Sequence, residues 1–223
     1  MQVNLDAHTY LAAVDRLGSS TTVVRAAAVR LLNWTLSGGD SDVVNLVLHT
    51  YADLLRVHSS TDEGYPDDLP TVDVAAVLAI LPERLSDRRA ATAVPKLDLT
   101  RVRLRNAELP DITLPGARLV SADLTRANLH RADLSNADLS GADLSYANLS
   151  GARLRGARLI GAKLYHTVMN VTEVSDADFT DAVLRPDSLR DTDLGTARGL
   201  TEDQLRQAAE SAAAHNDNPA TSV

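Results

Sequence analysis

With no cysteine in the sequence, chemistry at neutral pH would fall to hydroxyl side chains, histidines and charged residues. That lack excludes a thiol nucleophile, a thiolate metal site and a disulfide framework together. Ser135, Ser140, Ser145 and Ser150 recur every five residues. A serine nucleophile needs a base within hydrogen-bond reach, and these are expected to have no histidine or carboxylate at a defined offset, so they read as turn hydroxyls. The stretch GARLRGARLIGAKL (151–164) is rich in glycine but has neither the G-x-G-x-x-G nor the G-K-[ST] pattern of a phosphate loop. His130 and His166 fall in different repeats, and His8, His49, His58 and His215 are scattered, so no metal site is expected. The expectation is a protein with no catalytic residues, no metal and no cofactor.

The elements that carry these side chains follow a period of five: from Leu99 to Leu194 every fifth residue is apolar, twenty times in succession, with Met169, Val174 and Phe179 as the departures from leucine. Two residues earlier stands a small or branched residue, an unbroken alanine series from Ala117 to Ala162. A helix would smear such leucines around every face, and a long strand would alternate them between two sides. A short strand followed by a corner satisfies the pattern. The leucine and the residue two before it point inward, the residue between them points outward, and the other two turn the chain. Outward positions then read Asp123, Asn128, Asp133, Asp138, Asp143 and Asn148, and the corners hold turn formers such as Gly141, Gly151 and Gly156.

Units such as ADLTR, ANLHR, ADLSN, ADLSG, ADLSY and ANLSG (122–151) resemble the pentapeptide-repeat family and its A(D/N)Lxx consensus. The resemblance covers roughly residues 95–198. It implies a right-handed quadrilateral β-helix with four units per coil, hence about five coils and a rod about 24 Å long at the strand spacing. Leu99, Leu119, Leu139, Leu159 and Phe179 would form one column of the core ladder.

A four-sided coil stacks residue i on residue i+20. One outward column then reads Asp98, Arg118, Asp138, Arg158, Asp178; another Asp133, Arg153, Glu173, Asp193; a third Arg103, Asp123, Asp143, Lys163. Such alternation predicts ion-pair ladders that absorb most of the charge. The fourth column is Glu108, Asn128, Asn148, Val168, Ser188, and near it Thr167, Thr172, Asp187 and Thr192 replace the inward alanine. Tyr165, His166, Val168, Val171 and Val183 form a candidate partner-contact patch, since grouped exposed apolar residues mark contact sites; the competing reading is a looser coil packed on something the sequence does not reveal.

Both ends read as helices. Residues 1–94 form an α-helical N-terminal region: one helix from Asp6 closed by Gly18, a second from about Thr21 to Leu36 holding Trp34 and followed by Gly38 and Gly39, a third from Ser41 through Leu55, a loop over 61–70, and a fourth from about Thr71 to Leu81. Over 199–214, Thr201 and Gln204 form a capping box, with Leu200 and Leu205 as its staple. Leu205, Ala208, Ala209 and Ala212 give a face that covers the last coil or meets a twin helix in a homodimer. The tail 215–223 reads as disordered.

Net charge is −8, distributed as −5 over 1–94 (7 basic, 12 acidic), 0 over 95–198 (14 and 14) and −3 over 199–223 (1 and 4). The balance opposes direct nucleic-acid binding. With no basic start leading into an apolar run and no long apolar stretch, a soluble cytoplasmic protein is expected, with no membrane partner. The expected function is non-catalytic protein binding or scaffolding on a rigid solenoid surface. The alternative implied by the resemblance is the quinolone-resistance branch, which binds DNA gyrase or topoisomerase IV as a DNA mimic.

Overall fold

The computed structural model describes residues 7–35, 41–58, 76–77, 96–189, 192, 194–206 and 210. Three helices come first: α1 (Ala7–Leu17), α2 (Thr22–Thr35) and α3 (Ser41–His58). α1 ends where Gly18 follows Leu17, and the Gly18 amide donates to Asp15 O at 3.2 Å. In α3 the buried residues Val47, Leu48, Tyr51, Leu54 and Leu55 repeat at helical spacing, which gives one apolar stripe. α3 runs past Leu55 to His58, a turn beyond the expected end, because no glycine or proline stops it. The buried Tyr51 hydroxyl donates to Val29 O at 2.9 Å, so a helix carbonyl of α2 is satisfied from α3. Only Ala76 and Val77 of the expected fourth helix lie among the described residues, and both are helical. Asp6, Gly38, Gly39, the loop 61–70, Ala208, Ala209, Ala212 and the tail lie outside them.

From Lys96 onward the chain winds in squares. Parallel bridges join residues twenty apart, from Asp98 to Arg118 and from Arg103 to Asp123 through Asp178 to Arg198. The ladder hydrogen bonds are short and repeat without change: Asp138 N donates to Ala117 O at 2.9 Å and Leu139 N to Arg158 O at 2.7 Å. Most sides contribute a single bridged residue, so the only two-residue strands among the described residues are β1 (Lys163–Leu164) and β2 (Val183–Leu184), paired parallel with Lys163 on Val183. A unit of five cannot hold more strand, because its turn uses the rest.

Each corner is a four-residue turn, as where Ala142 N donates to Leu139 O at 3.0 Å. Its third residue has positive φ, the conformation a type II turn requires there. Gly141, Gly151, Gly156 and Gly161 take it freely and Asn106 with little cost, while Arg101, Arg126 and Tyr146 take it against the L-residue preference. Inside, Leu99, Leu119, Leu139, Leu159 and Phe179 are at most 1% exposed. The buried residues of the helices and of the coil form one continuous cluster. At the junction an Arg56 guanidinium nitrogen of α3 lies 3.7 Å from Asp98 Oδ2.

The winding changes after Leu184. Pro186 occupies the corner position where Asn106, Arg126, Tyr146 and His166 have φ of 54–62°. Proline is locked near −65°, so the turn cannot form there. A short 3₁₀-helix, Pro186–Leu189, replaces it, with Ser188 N donating to Arg185 O at 3.0 Å. This corrects the expected outward column: Ser188 is buried rather than stacked on Val168, because the 3₁₀ turn rotates it inward.

The chain leaves the coil where Phe179 N donates to Arg198 O at 2.8 Å. Gly199 follows at φ 77°, its α-carbon so close to the Thr180 backbone that a Cβ would collide with it. Residues 202–206 are helical, and the capping box is complete: Thr201 N donates to Gln204 Oε1 at 2.8 Å and Gln204 N to Thr201 Oγ1 at 3.2 Å. Leu200 packs against the core, but Leu205 is 40% exposed and does not staple inward.

Candidate functional site

The outward carboxylates serve mainly the turns. Asp98 Oδ1 accepts from Thr100 N at 3.1 Å and from its hydroxyl at 2.6 Å. The same pair of bonds recurs at Asp123 with Thr125, Asp138 with Ser140, and Asp178 with Thr180. Ser135, Ser140 and Ser145 therefore do have a carboxylate at fixed offset, two residues earlier, contrary to the expectation from residue types, and Ser150 has the Asn148 amide oxygen in the same place. The carboxylate is a structural partner: it accepts both the amide and the hydroxyl and so closes the turn. Asp98 is held below the usual carboxylate value by the Thr100 hydroxyl, outweighing partial burial, with the Thr100 amide, Arg56 and Arg118 adding to it. Burial pushes Asp143 up, but the Ser145 hydroxyl and amide and Lys163 more than reverse this. Asp178 is lowered chiefly by the Thr180 hydroxyl.

Ion pairs between coils join Arg118 to Asp98 (4.0 Å), Lys163 to Asp143 (3.4 Å) and Arg153 to Glu173 (3.5 Å) along the expected columns. Arg131 pairs with Asp111 at 3.2 Å along a corner. No group of metal-ligating side chains occurs among the described residues. No helix among them is long and apolar enough to cross a membrane.

The exposed apolar side chains of the coil are Tyr146 (55%), Tyr165 (46%), Val168 (44%), Val171 (70%) and Val183 (41%). Register accounts for the grouping. Val183 lies one strand spacing beyond Lys163, Tyr165 begins the next corner, His166 follows it, Val168 sits on the next side, and Val171 turns the corner after that. Tyr146, absent from the sequence-derived patch, joins it: its ring stacks on His166 with centroids 5.0 Å apart and planes 19° apart, and the Arg126 guanidinium lies 5.9 Å from its centroid. Only the spacing of 126, 146 and 166 by one coil connects these side chains, and Tyr146 itself ends a consensus unit.

Beneath this surface the coil is tight. Thr167 and Thr172 are buried at the alanine position, and their hydroxyls donate to Leu144 O at 2.8 Å and Leu149 O at 2.9 Å. Thr192 donates in the same way to Met169 O at 2.8 Å. The three threonine departures from alanine are thus each satisfied by the preceding coil, while the Asp187 side chain lies outside the described residues.

Residues 98–136 and 132–170 match the family described as Pentapeptide repeats, in eight copies. Among solved structures, a pentapeptide repeat protein of Nostoc PCC 7120, alr5209, is 33% identical over 54% of this chain and 88% of its own, with a TM-score of 0.39. One from the Arabidopsis thaliana thylakoid lumen is 32% identical over 49% of this chain and 83% of its own, with a TM-score of 0.30. Rfr23 of the cyanobacterium Cyanothece 51142 is 30% identical over 41% of this chain, with a TM-score of 0.35, and the match spans 59% of Rfr23. No curated protein matches the chain. With its repeats and these identities, the chain belongs to the pentapeptide-repeat family, whose fold is a right-handed β-helix solenoid.

Proposed function

We propose that this protein is a non-catalytic binding or scaffolding protein that engages another protein through Tyr146, Tyr165, His166, Val168 and Val171, with Val183 at the margin. Val171 carries the reading. It has φ 57° and is 70% exposed, and it is the only β-branched residue among the described left-handed positions. A β-branched side chain in that conformation is strained, and one facing water gains nothing from burial. One coil earlier the same corner holds Gly151, at φ 67°. Folding alone favours glycine or asparagine there, so a valine points to a contact made after folding.

The rival is a DNA mimic that binds gyrase or topoisomerase IV through its carboxylates. Asp98, Asp123, Asp138 and Asp178 accept turn hydrogen bonds, Asp143 pairs with Lys163 of the next coil and Glu173 with Arg153 of the preceding one. Charge tied down and cross-paired in this way gives a weak negative field.

The two readings separate in one experiment: capture from the native lysate with wild type, Val168→Asp and Asp181→Asn, with supercoiling measured in parallel. The contact reading expects Val168→Asp to lose the captured protein while thermal unfolding shifts by less than about 0.5 kcal/mol, since the site faces water. Capture that survives Val168→Asp, or inhibition of supercoiling that Asp181→Asn weakens, overturns it.

A further inference from the structure

We infer that the segment docking on this surface is acidic and apolar at once: a stretch of a partner protein in which Asp or Glu stands beside Leu, Ile or Phe. This rests on the contact reading above and adds the chemistry of what lands there. The corner between the side bearing Lys163 and the side bearing Val168 holds Arg105, Arg126 and Arg185 and no carboxylate. Each of the other three corners carries at least one, at Asp181, Asp111 and Asp176. On the adjoining side Asn128, Asn148 and Val168 are uncharged, and the single carboxylate, Glu108, accepts from Asn128 Nδ2 at 2.7 Å. Arg105 pairs with Asp123 of the neighbouring side at 3.9 Å, and the apolar patch adjoins a corner that is basic and holds no carboxylate of its own.

Arg126 shows how the two chemistries combine. Its guanidinium sits over the Tyr146 ring and makes no ion pair among the described residues. A guanidinium placed over a ring keeps its in-plane N–H donors for a carboxylate. The acid of a docking segment meets Arg126 while its apolar side chains meet Tyr165, Val168 and Val171.

Size and stacking select this occupant over two others. A stable dimer buries about 800 Å² on each partner, whereas this side, about 24 Å by 10 Å, supplies on the order of 240 Å². That suits a slim segment better than a second copy. A nucleic-acid strand needs cations along its whole track and open rings for its bases. Tyr146 lies between Arg126 on one side and His166 on the other, and the neighbouring side sets Asp123 and Asp143 beside the basic corner.

The test is selection of a random short-peptide library on the immobilised full chain, followed by titration of the best synthetic peptide against variants. Enrichment of peptides that pair Asp or Glu with Leu, Ile or Phe is expected. Arg126→Glu should weaken the best peptide about tenfold, and replacing its acids with lysine should restore binding to that variant, as complementary charge requires. Val168→Asp should abolish binding of either peptide. Uncharged peptides indifferent to Arg126→Glu but lost with Val168→Asp would overturn the acidic partner and leave the contact surface standing. Peptides indifferent to Val168→Asp, or no enrichment at all, would overturn both. A single-stranded oligothymidine that binds more tightly than the peptide, or self-association in sedimentation, would overturn it in favour of nucleic acid or a second copy if Arg126→Glu abolished it.

Discussion

The units from Ala117 to Ala162 and those from Lys163 to Leu189 share one frame and differ in what their side chains do. In the first stretch each position plays the same part in most units. Inward alanine and leucine fill, outward Asp or Asn closes the next turn at six of the nine outward positions while Arg118, Arg153 and Arg158 take the other three, and the corner residue has positive φ throughout. In the second, threonine replaces alanine, valine and histidine take left-handed corners, and proline forbids one. Regularity thus marks the part of the rod concerned with standing up, and the exceptions gather where apolar side chains face water.

The sharpest difference between the stretches should appear in the core. Leu139→Ala removes a side chain with no exposed surface from the regular part and should cost about 3 kcal/mol or more in urea denaturation, by lost burial plus the cavity left. A loss under about 1 kcal/mol would mean that the coils relax independently. Next come the glycines. Gly199→Ala should cost roughly 2 kcal/mol, since its Cβ meets the Thr180 backbone, whereas Gly161→Ala, where a Cβ meets nothing within 4 Å, should cost about 1 kcal/mol from conformation alone. Equal losses at both sites would erase the distinction drawn between leaving the coil and turning within it.

Thr167→Val should cost about 1 kcal/mol, because Leu144 O keeps its bond from Ala147 N when the hydroxyl is lost. Val171→Asn should change the sign and stabilise by about 0.5–1 kcal/mol, because asparagine accepts the left-handed corner. A destabilised Val171→Asn would make that valine a packing residue and remove the main support for a contact surface. Acid should act across both stretches. Asp98, Asp143 and Asp178 have lowered folded-state values, so their contribution is full above the ordinary value of 3.8 and is lost as pH falls through the lowered ones. Thermal midpoints should be level from pH 7 to about 5 and fall below about 4. Replacing Thr100 and Thr180 with valine should blunt that fall.

The repeat was legible because five-residue spacing of leucine survives without gaps, and the i+20 stacking let ion pairs such as Lys163 with Asp143 be named beforehand. Three things were hidden for physical reasons. The bond that the Ser140 hydroxyl donates to Asp138 depends on turn torsions, which residue types alone do not state. The break at Pro186 follows only once the corner above it is known to need positive φ. Tyr146 lies inside a consensus unit, so nothing in the departures from consensus points to it. The threonines misled in the other direction: they look like loosening until Leu144 O is seen to accept the hydroxyl of Thr167.

The bridge spacing of twenty residues makes length a stepwise variable for this molecule. Removing one whole coil, residues 137–156, would still bring inward residues onto inward ones and leave the hydrogen-bond ladder in phase. Removing a single residue would turn a column of aspartates into the core. A rod of this kind changes length in increments of about 4.8 Å, so the distance between its contact surface and whatever its ends hold is set in discrete notches.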